Sequence, residues 1–331
     1  MRDFASSLEA ALAEFLAERR PEATAIDARL DRLIDELASA VCAGGKRVRP
    51  ILLAWGYRAG GRDVDEPVVK AAAALELLHT FALIQDDVMD GSETRRGRPA
   101  SHVSLAGEAQ VDPERFGASA AILLGDLALI WADQLLLSSG FPAERLTRGL
   151  AVYNDLRTEV TLGQYLDVLA AHSRRVTEEE ALTVNRFKTA SYTVQRPIQL
   201  GLALAGAPES LVRAVGDYAI PAGIAFQLRD DVLGAFGDPE LTGKPSGQDL
   251  LERKPTWLWA RTVRHCPEAE RTADVARLRE LVVASGALAE AEAKIGALCE
   301  EAVTAARALP VDEGLVCELL DMTDRLTWRR S

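Results

Sequence analysis

Aromatic residues are scarce, at 5% of a 331-residue chain, and no stretch alternates apolar and polar residues long enough to form a useful strand. Both shortages disfavour a β architecture, because aromatic and β-branched residues populate strands while Ala and Leu, abundant here, populate helices. Basic residues are outnumbered, with 38 Lys and Arg against 50 Asp and Glu, a net charge of -12 and a pI near 5.0. Broad nucleic-acid binding needs a basic face and is disfavoured, although a local basic pocket for an anionic substrate remains open. Cysteine is sparse: Cys42, Cys266, Cys299 and Cys317 form no CxxC pair and no metal-type spacing. They read as free thiols in a reducing, cytoplasmic setting. The start, MRDFASSLEAALAEF, lacks the apolar core of a secretion signal. The most apolar stretch, Ala118 to Leu137, is interrupted by Asp126 and Asp133. A bilayer crossing needs about 20 consecutive apolar residues, so this stretch reads as a buried helix and no transmembrane segment is expected.

What is present is helical periodicity. Hydrophobic residues make up 48% of the chain, enough for a sizeable core. Pro67 opens a run through Ala71, Ala74, Leu75 and Leu78, and Pro208 opens another. Thr177 followed by Glu180 is a capping-box pattern. Gly60 to Val64 reads as a turn, while Gly91 to Asp112 and Gly237 to Gly247 read as longer polar loops. Loops of that length in a compact helical fold are often functional. No repeat and no shift in composition marks a boundary, which predicts one all-α domain over residues 1–331 with roughly ten or more helices.

The segment LELLHTFALIQDDVMDGSETRRGRP carries Asp86, Asp87 and Asp90. On a helix, Asp86 and Asp90 share a face, and His79 lies on nearly the same line about 10 Å back. Carboxylates clustered at a helix C-terminus repel one another and face the negative end of the dipole. A hard cation resolves the conflict, and Mg2+ is commonly held by one or two carboxylates together with substrate phosphates. A solvated acidic helix end is the plainer explanation for such a motif alone. Arg95 and Arg96 follow in a Gly-flanked loop, and guanidinium groups suit bidentate binding of phosphate. They could equally neutralise the aspartates by simple ion pairing.

A second constellation, FQLRDDVLGAFGDPELTGKPSGQDL, carries Asp230 and Asp231, 144 residues after the first pair of aspartates, then Asp238, Lys244 and the later Lys254. Two acidic motifs, each followed by cations, point to a binuclear or trinuclear magnesium site that clamps one diphosphate.

Five segments in order carry a family resemblance: GGKRVRP (Gly44 to Pro50), DDVMD with RRGRP, GQYLD (Gly163 to Asp167), FKTAS (Phe187 to Ser191) and FQLRDDVLGAFGD with its lysines. The chain resembles the trans-type polyprenyl diphosphate synthases of the farnesyl and geranylgeranyl kind from Gly44 to about Thr256. The resemblance implies an isoprenoid-synthase helical bundle around a central cavity, working as a homodimer. It implies that Asp86, Asp87 and Asp90, with Asp230 and Asp231, bind Mg2+, three ions in all. Arg95 would contact the allylic diphosphate, and Lys46, Arg47, His79 and Arg96 would hold isopentenyl diphosphate. Lys188, Thr189, Gln227 and Lys244 would surround the reacting centre, and Gln164 and Asp167 would line the same cavity. One departure stands out: where many members carry a third acid in the second motif, this chain has Gly234, and Asp238 one turn on is a candidate substitute.

The implied reaction is magnesium-dependent head-to-tail condensation of isopentenyl diphosphate with an allylic diphosphate. Protein groups position the partners and stabilise developing charge while water is excluded. Product length follows the depth of the apolar pocket below Asp86, where Phe81 and Ala82 stand. This pattern resembles synthases of the twenty-carbon product, with the fifteen-carbon product next. A class I terpene cyclase would not need the second, purely basic site built from Lys46, Arg47, His79 and Arg96. An inactive regulatory subunit should have lost carboxylates or cations that this chain keeps.

Overall fold

The computed structural model describes residues 2–173, 175–237 and 247–327. Apart from a pair of two-residue strands, all regular structure among them is helical. The chain divides into two compact units, Met1–Thr147 and Arg148–Ser331.

In the first unit, α1 (Arg2–Ile26), α2 (Leu30–Cys42), α3 (Val48–Ala59), α4 (Glu66–Asp90), α5 (Ser101–Ala106) and α6 (Pro113–Leu137) pack around α4. Asp65 caps α4 by accepting from Val68 N at 3.2 Å, with Pro67 in the first turn where a missing N–H costs nothing. Gly91 closes it in the left-handed conformation at φ 63°. Its residues Ala71 to Leu78 are all buried. Two helices, α4 and α6, are long and apolar enough to cross a bilayer by length and composition, yet the apolar window of α4 is 67% buried, which marks it as a core helix.

Helix α6 departs from the buried helix its composition predicts. One face packs on α4, where Gly125 admits the Gln85 side chain. Another face is open, with Phe116, Leu123, Ile130 and Leu137 exposed by 43%, 65%, 52% and 55%. They recur every seventh residue and so form one stripe along the helix. Composition fixes how apolar a helix is but not how many of its faces find a partner within the chain. The polar segment from Gly91 to Asp112 is likewise more ordered than the loop expected there. It holds β1 (Thr94–Arg95) paired antiparallel with β2 (Arg98–Pro99), and then α5.

The second unit contains most of α7 (Ala143–Ala171), then α8 (Glu178–Val184), a π-helix (Asn185–Gln195), α9 (Arg196–Ala205) and α10 (Glu209–Phe236). After these come α11 (Gln248–Leu251), α12 (Trp257–His265), a 3-10 turn (Pro267–Arg271), α13 (Val275–Ala284), α14 (Ala287–Ala308) and α15 (Glu313–Thr327). The capping box forms as the sequence predicts: Glu180 N donates to Thr177 Oγ1 at 3.2 Å and Thr177 N to Glu180 Oε2 at 2.8 Å. The core joins Leu228 and Val232 of α10 to Trp257, Leu278, Ala291 and Ile295. Arg229 is buried and ties the C-terminal helices to α10. It donates to both Glu292 carboxylate oxygens, at 2.7 and 2.6 Å, and to Thr327 O at 2.6 Å.

The π-helix has a local cause. Pro197 follows it within one continuous helical run. Proline cannot donate to the carbonyl of Thr193 four residues back, and its ring crowds that carbonyl. Wider i→i+5 bonding relieves the conflict, as π-segments at functional sites commonly do.

Candidate active site

In the first unit, the Gly44–Gly45 turn runs through positive φ, and Arg47 itself sits at φ 46° to cap α3. Lys46 is exposed at the crest. Arg96, also at positive φ, donates to Gly44 O, and a side chain at Gly45 would meet its Nη2 at 2.8 Å. The GGKR turn and the RRGRP hairpin, 52 residues apart, are thus brought together as the sequence requires of one basic site.

Arg47 is placed differently from an open phosphate ligand. Its side chain is 8% exposed and bonds Glu76, Glu9 at 2.9 Å and Val41 O at 2.9 Å. Glu76, 2% exposed, was not anticipated. Its signal in the sequence is being the lone acid in the apolar run from Ala71 to Ile84.

Asp86, Asp87 and Asp90 end α4 as expected, with Asp87 buried, Asp86 half-buried and Asp90 exposed. Arg95 reaches back to Asp87 Oδ1 from Nε at 2.8 Å and from Nη2 at 2.5 Å, and to Asp86 Oδ2 at 3.3 Å. Burial pushes the Asp87 carboxyl above its usual range, Arg95 opposes this, and Asp86 adds to it. His79 is held well below its ordinary value by burial, then by Arg49, Arg96, Arg95 and Arg47. Without an anion beside it the neutral imidazole is favoured, and its ring N–H can donate to a phosphate. Burial and the neighbouring arginines also depress Arg96, which Glu76 partly offsets. Cations so crowded are relieved by an anion.

Glu36, buried on α2, fixes the hairpin and α5. Ser101 donates to it at 3.0 Å and Ser104 at 2.6 Å, and Arg98 lies at 3.6 Å. Phe81 and Ala82, one turn before Asp86, are half-buried.

In the second unit, Lys188 and Thr189 lie in the π-helix. Gly163 of the GQYLD segment lets α7 meet that backbone directly, since a Cβ there would stand 2.6 Å from Lys188 N. Lys188 Nζ pairs with Asp167 Oδ2 at 2.5 Å, and Gln164 is half-buried on the same helix. Thr189 Oγ1 donates to Gln227 Oε1 at 2.7 Å, and Gln227 Nε2 donates to Asp231 Oδ1 at 2.9 Å. Asp231 is 5% exposed, and its other oxygen, Oδ2, has no hydrogen-bond partner among the described residues. Its carboxyl is raised to about 6, foremost by burial; Gln227 and Lys254 pull it down, and Asp249 and Asp167 push it further up. Asp230 and Asp231 sit inside α10, six and five residues short of its end at Phe236, rather than at its terminus. Asp238 and Lys244 lie outside the described residues. Gly223, in no recognised motif, admits Ala190 of the π-helix, whose Cβ would lie 2.6 Å from a side chain at 223.

Among the described residues no three carboxylate, imidazole or thiol groups already converge as a metal cage. Magnesium keeps waters and takes phosphate oxygens beside one or two carboxylates. A buried carboxylate oxygen with no donor is costly to leave unsatisfied, and a cation satisfies it.

An all-helical fold with two acidic motifs, each beside cations, defines a diphosphate-handling helical enzyme. Residues 31–291 match the polyprenyl synthetase family, and the chain belongs to that family. It is 32% identical over 306 residues to geranylfarnesyl diphosphate synthase of Aeropyrum pernix, covering 88% of this chain and 92% of that one. It is 35% identical to geranylgeranyl diphosphate synthase of Methanosarcina mazei, covering 78% and 73%. The crystal structure of geranylgeranyl pyrophosphate synthase from Corynebacterium glutamicum, complexed with isoprenyl diphosphate and magnesium, superposes with a TM-score of 0.94 at 36% identity and covers 99% of each chain.

Proposed function

We propose that the protein is a short-chain trans-prenyl diphosphate synthase that condenses isopentenyl diphosphate with an allylic diphosphate, chiefly to the twenty-carbon geranylgeranyl diphosphate. The observation that carries this reading is the pairing of acid and cation in both units of a chain whose family match runs through both. The same continuity of the match supports reading residues 1–331 as one functional domain.

Magnesium fits the donor set. Asp86, Asp87 and Asp90 would hold it in the first motif, and Asp230 and Asp231 in the second, with three ions in the full site. Bound there, it would draw charge from the leaving diphosphate. Arg95 exchanges its Asp87 contact for the allylic diphosphate. Lys46 and Arg96 supply charge to the diphosphate of isopentenyl diphosphate, and neutral His79 supplies a hydrogen bond. Arg47, in the turn that carries Lys46 and paired with Glu76, belongs to the same diphosphate site. The allylic carbon–oxygen bond breaks and its electron pair leaves with the diphosphate. The double bond of isopentenyl diphosphate then attacks the allylic carbon, and a proton passes to the departing diphosphate. Lys188, Thr189 and Gln227 position that centre through their bonds to Asp167 and Asp231. Gln164 and Asp167 line the same cavity, and Lys244 contributes a further cation.

A homodimer belongs to the same reading, supported by the exposed stripe from Phe116 to Leu137. A cytoplasmic location is supported by four free thiols.

Purified protein given isopentenyl diphosphate with dimethylallyl, geranyl or farnesyl diphosphate should yield a prenyl diphosphate with Mg2+ and none with EDTA. The carbon count decides between the twenty-carbon product and the fifteen-carbon one. No elongation of any primer overturns the reading, and a hydrocarbon from a single diphosphate would favour a cyclase.

A further inference from the structure

Lys188 and Thr189, both assigned to the reacting centre, stand on an element that is rarely stable by itself. Eleven consecutive residues, Asn185–Gln195, follow π-helical bonding, whereas π-helices occur mostly as single turns within α-helices. Pro197 keeps the segment from closing as an ordinary α-helix, but it supplies no attraction that would hold the wider turns in one register.

The attraction comes from α7. Arg196 N donates to Ser191 O, the last i→i+5 bond of the segment. The side chains of the same two residues converge on one carboxylate, that of Glu159. Ser191 Oγ donates to its Oε2 at 2.8 Å, Arg196 Nε to the same oxygen at 2.9 Å, and Arg196 Nη2 to Oε1. Glu159 thus clasps the last wide turn across its backbone bond. Two turns further along α7, Asp167 pairs with Lys188. Gly163 lies midway, against the backbone at Lys188. Residues 159, 163 and 167 are four apart and share one face of α7. That one face therefore holds the π-segment at two points and touches its backbone between them.

The clasp is charged. Ser191 is 3% exposed and Glu159 is half-buried. Burial pushes the Glu159 carboxyl up, but Arg196, Ser191 and Arg186 outweigh it and hold the carboxyl below its usual range. Asp155 also lies 3.3 Å from Arg196, but its side chain is exposed, which makes it the weaker partner. Arg196 is anchored on its other side as well. It donates to Gln199 Oε1 at 3.0 Å, and Gln199 Nε2 donates to Val212 O of α10 at 2.9 Å.

We infer that Glu159 is a positioning residue of the synthase: by clasping Ser191 and Arg196 it fixes the register of the π-helix, and so sets where the Lys188 ammonium and the Thr189 hydroxyl stand. This role rests on the synthase reading of Lys188 and Thr189. Without the clasp the wide turns lose their charged tether at the α9 end, and a shift there passes along the bonded peptide units to Lys188.

Steady-state kinetics with isopentenyl and farnesyl diphosphates, read beside thermal melting, test the role. Glu159→Gln keeps the shape of the side chain and removes its charge. It should lower kcat roughly tenfold or more and leave KM for isopentenyl diphosphate within about twofold, because that diphosphate is held by Lys46, His79 and Arg96. Arg196→Gln should cost as much, and the double variant no more than either single one, since the two residues are halves of one clasp. Ser191→Ala removes one arm only; it should lower kcat roughly threefold at unchanged KM, and it carries the test should Glu159→Gln fail to fold. Val282→Ala, in the core of the same unit, is the control for lost stability: it should melt earlier and keep kcat within about twofold. Parental kcat in Glu159→Gln and Ser191→Ala, or losses that follow melting as in Val282→Ala, would overturn the role of Glu159 and leave the synthase reading standing. A parent that elongates no primer would overturn the synthase reading, and the role of Glu159 with it.

Discussion

Gly223→Ala puts a single methyl group into the contact between α10 and the π-helix. The new Cβ would stand 2.6 Å from Ala190 Cβ and closer still to Ala190 Cα, where carbon atoms in good contact stand about 3.5–4.0 Å apart. Both partners are main chain or stubs of it, so no rotamer change relieves the clash, and the two helices must part by about 1 Å. Gln227 lies one turn beyond 223 on the same face, and Thr189 adjoins Ala190. Their 2.7 Å hydrogen bond would stretch to about 3.7 Å, which is no longer a bond. Overpacking of this kind costs about 1–3 kcal/mol, and each kcal/mol lowers the melting temperature by about 2–4 °C in a chain of this size class. A displacement of about 1 Å at a positioned group costs roughly a hundredfold in turnover. Thermal melting and steady-state kinetics with isopentenyl and farnesyl diphosphates read both effects. Gly296→Ala, where a Cβ meets nothing within 4 Å, is the control, and should stabilise by up to about 1 kcal/mol through helix propensity. A Gly223→Ala protein that melts normally and turns over normally would refute the reasoning. One that melts early but turns over normally would sever the π-helix packing from function.

Other outcomes follow from the same structure. Glu76→Gln should destabilise the protein by about 3 kcal/mol, the low end for breaking a buried ion pair because Glu9 still faces Arg47; denaturant unfolding measures it, and a loss below about 0.5 kcal/mol would contradict the buried pairing. Asp231 is raised to about 6 from 3.8, so its protonated form favours the folded state, and that contribution is present at pH 4 and lost as pH rises through 6. In EDTA the wild type should therefore lose about 2.4 kcal/mol relative to Asp231→Asn between pH 4 and pH 7, and parallel stability curves would exclude the shift. Ala82→Phe should fill the space one turn below Asp86 and shorten the product from twenty carbons to fifteen, read by chromatography; an unchanged product would place the end of the growing chain elsewhere.

Much of the site was legible along the chain because its chemistry is carried by residue type at short spacing. Carboxylates four apart on one helix, arginines a few residues later and a capping box at Thr177 are local facts, and local hydrogen bonding made them real. The helical class followed in the same way from periodicity and from the start and stop signals of α4 and α10. The π-helix was not read from the chain: Pro197 crowds the carbonyl of Thr193, and Gly163 and Gly223 let two neighbouring backbones close in on the segment.

Only tertiary structure decided the rest, because each remaining feature is a meeting of groups far apart in sequence. Arg47 meets Glu76, 29 residues on, and burial, with four arginines adding to it, holds the His79 imidazole well below its ordinary value. The stripe on α6 stays exposed among the described residues, which the apolar composition of the helix could not tell. Glycine at 234 reads as a lost acid in the sequence, whereas in the fold the Asp249 carboxylate stands where a side chain at 234 would begin. The sequence by itself determined which elements form and which charges they carry; the tertiary structure decided which charges meet, since burial and proximity set whether a charge is spent on another side chain or kept for a ligand.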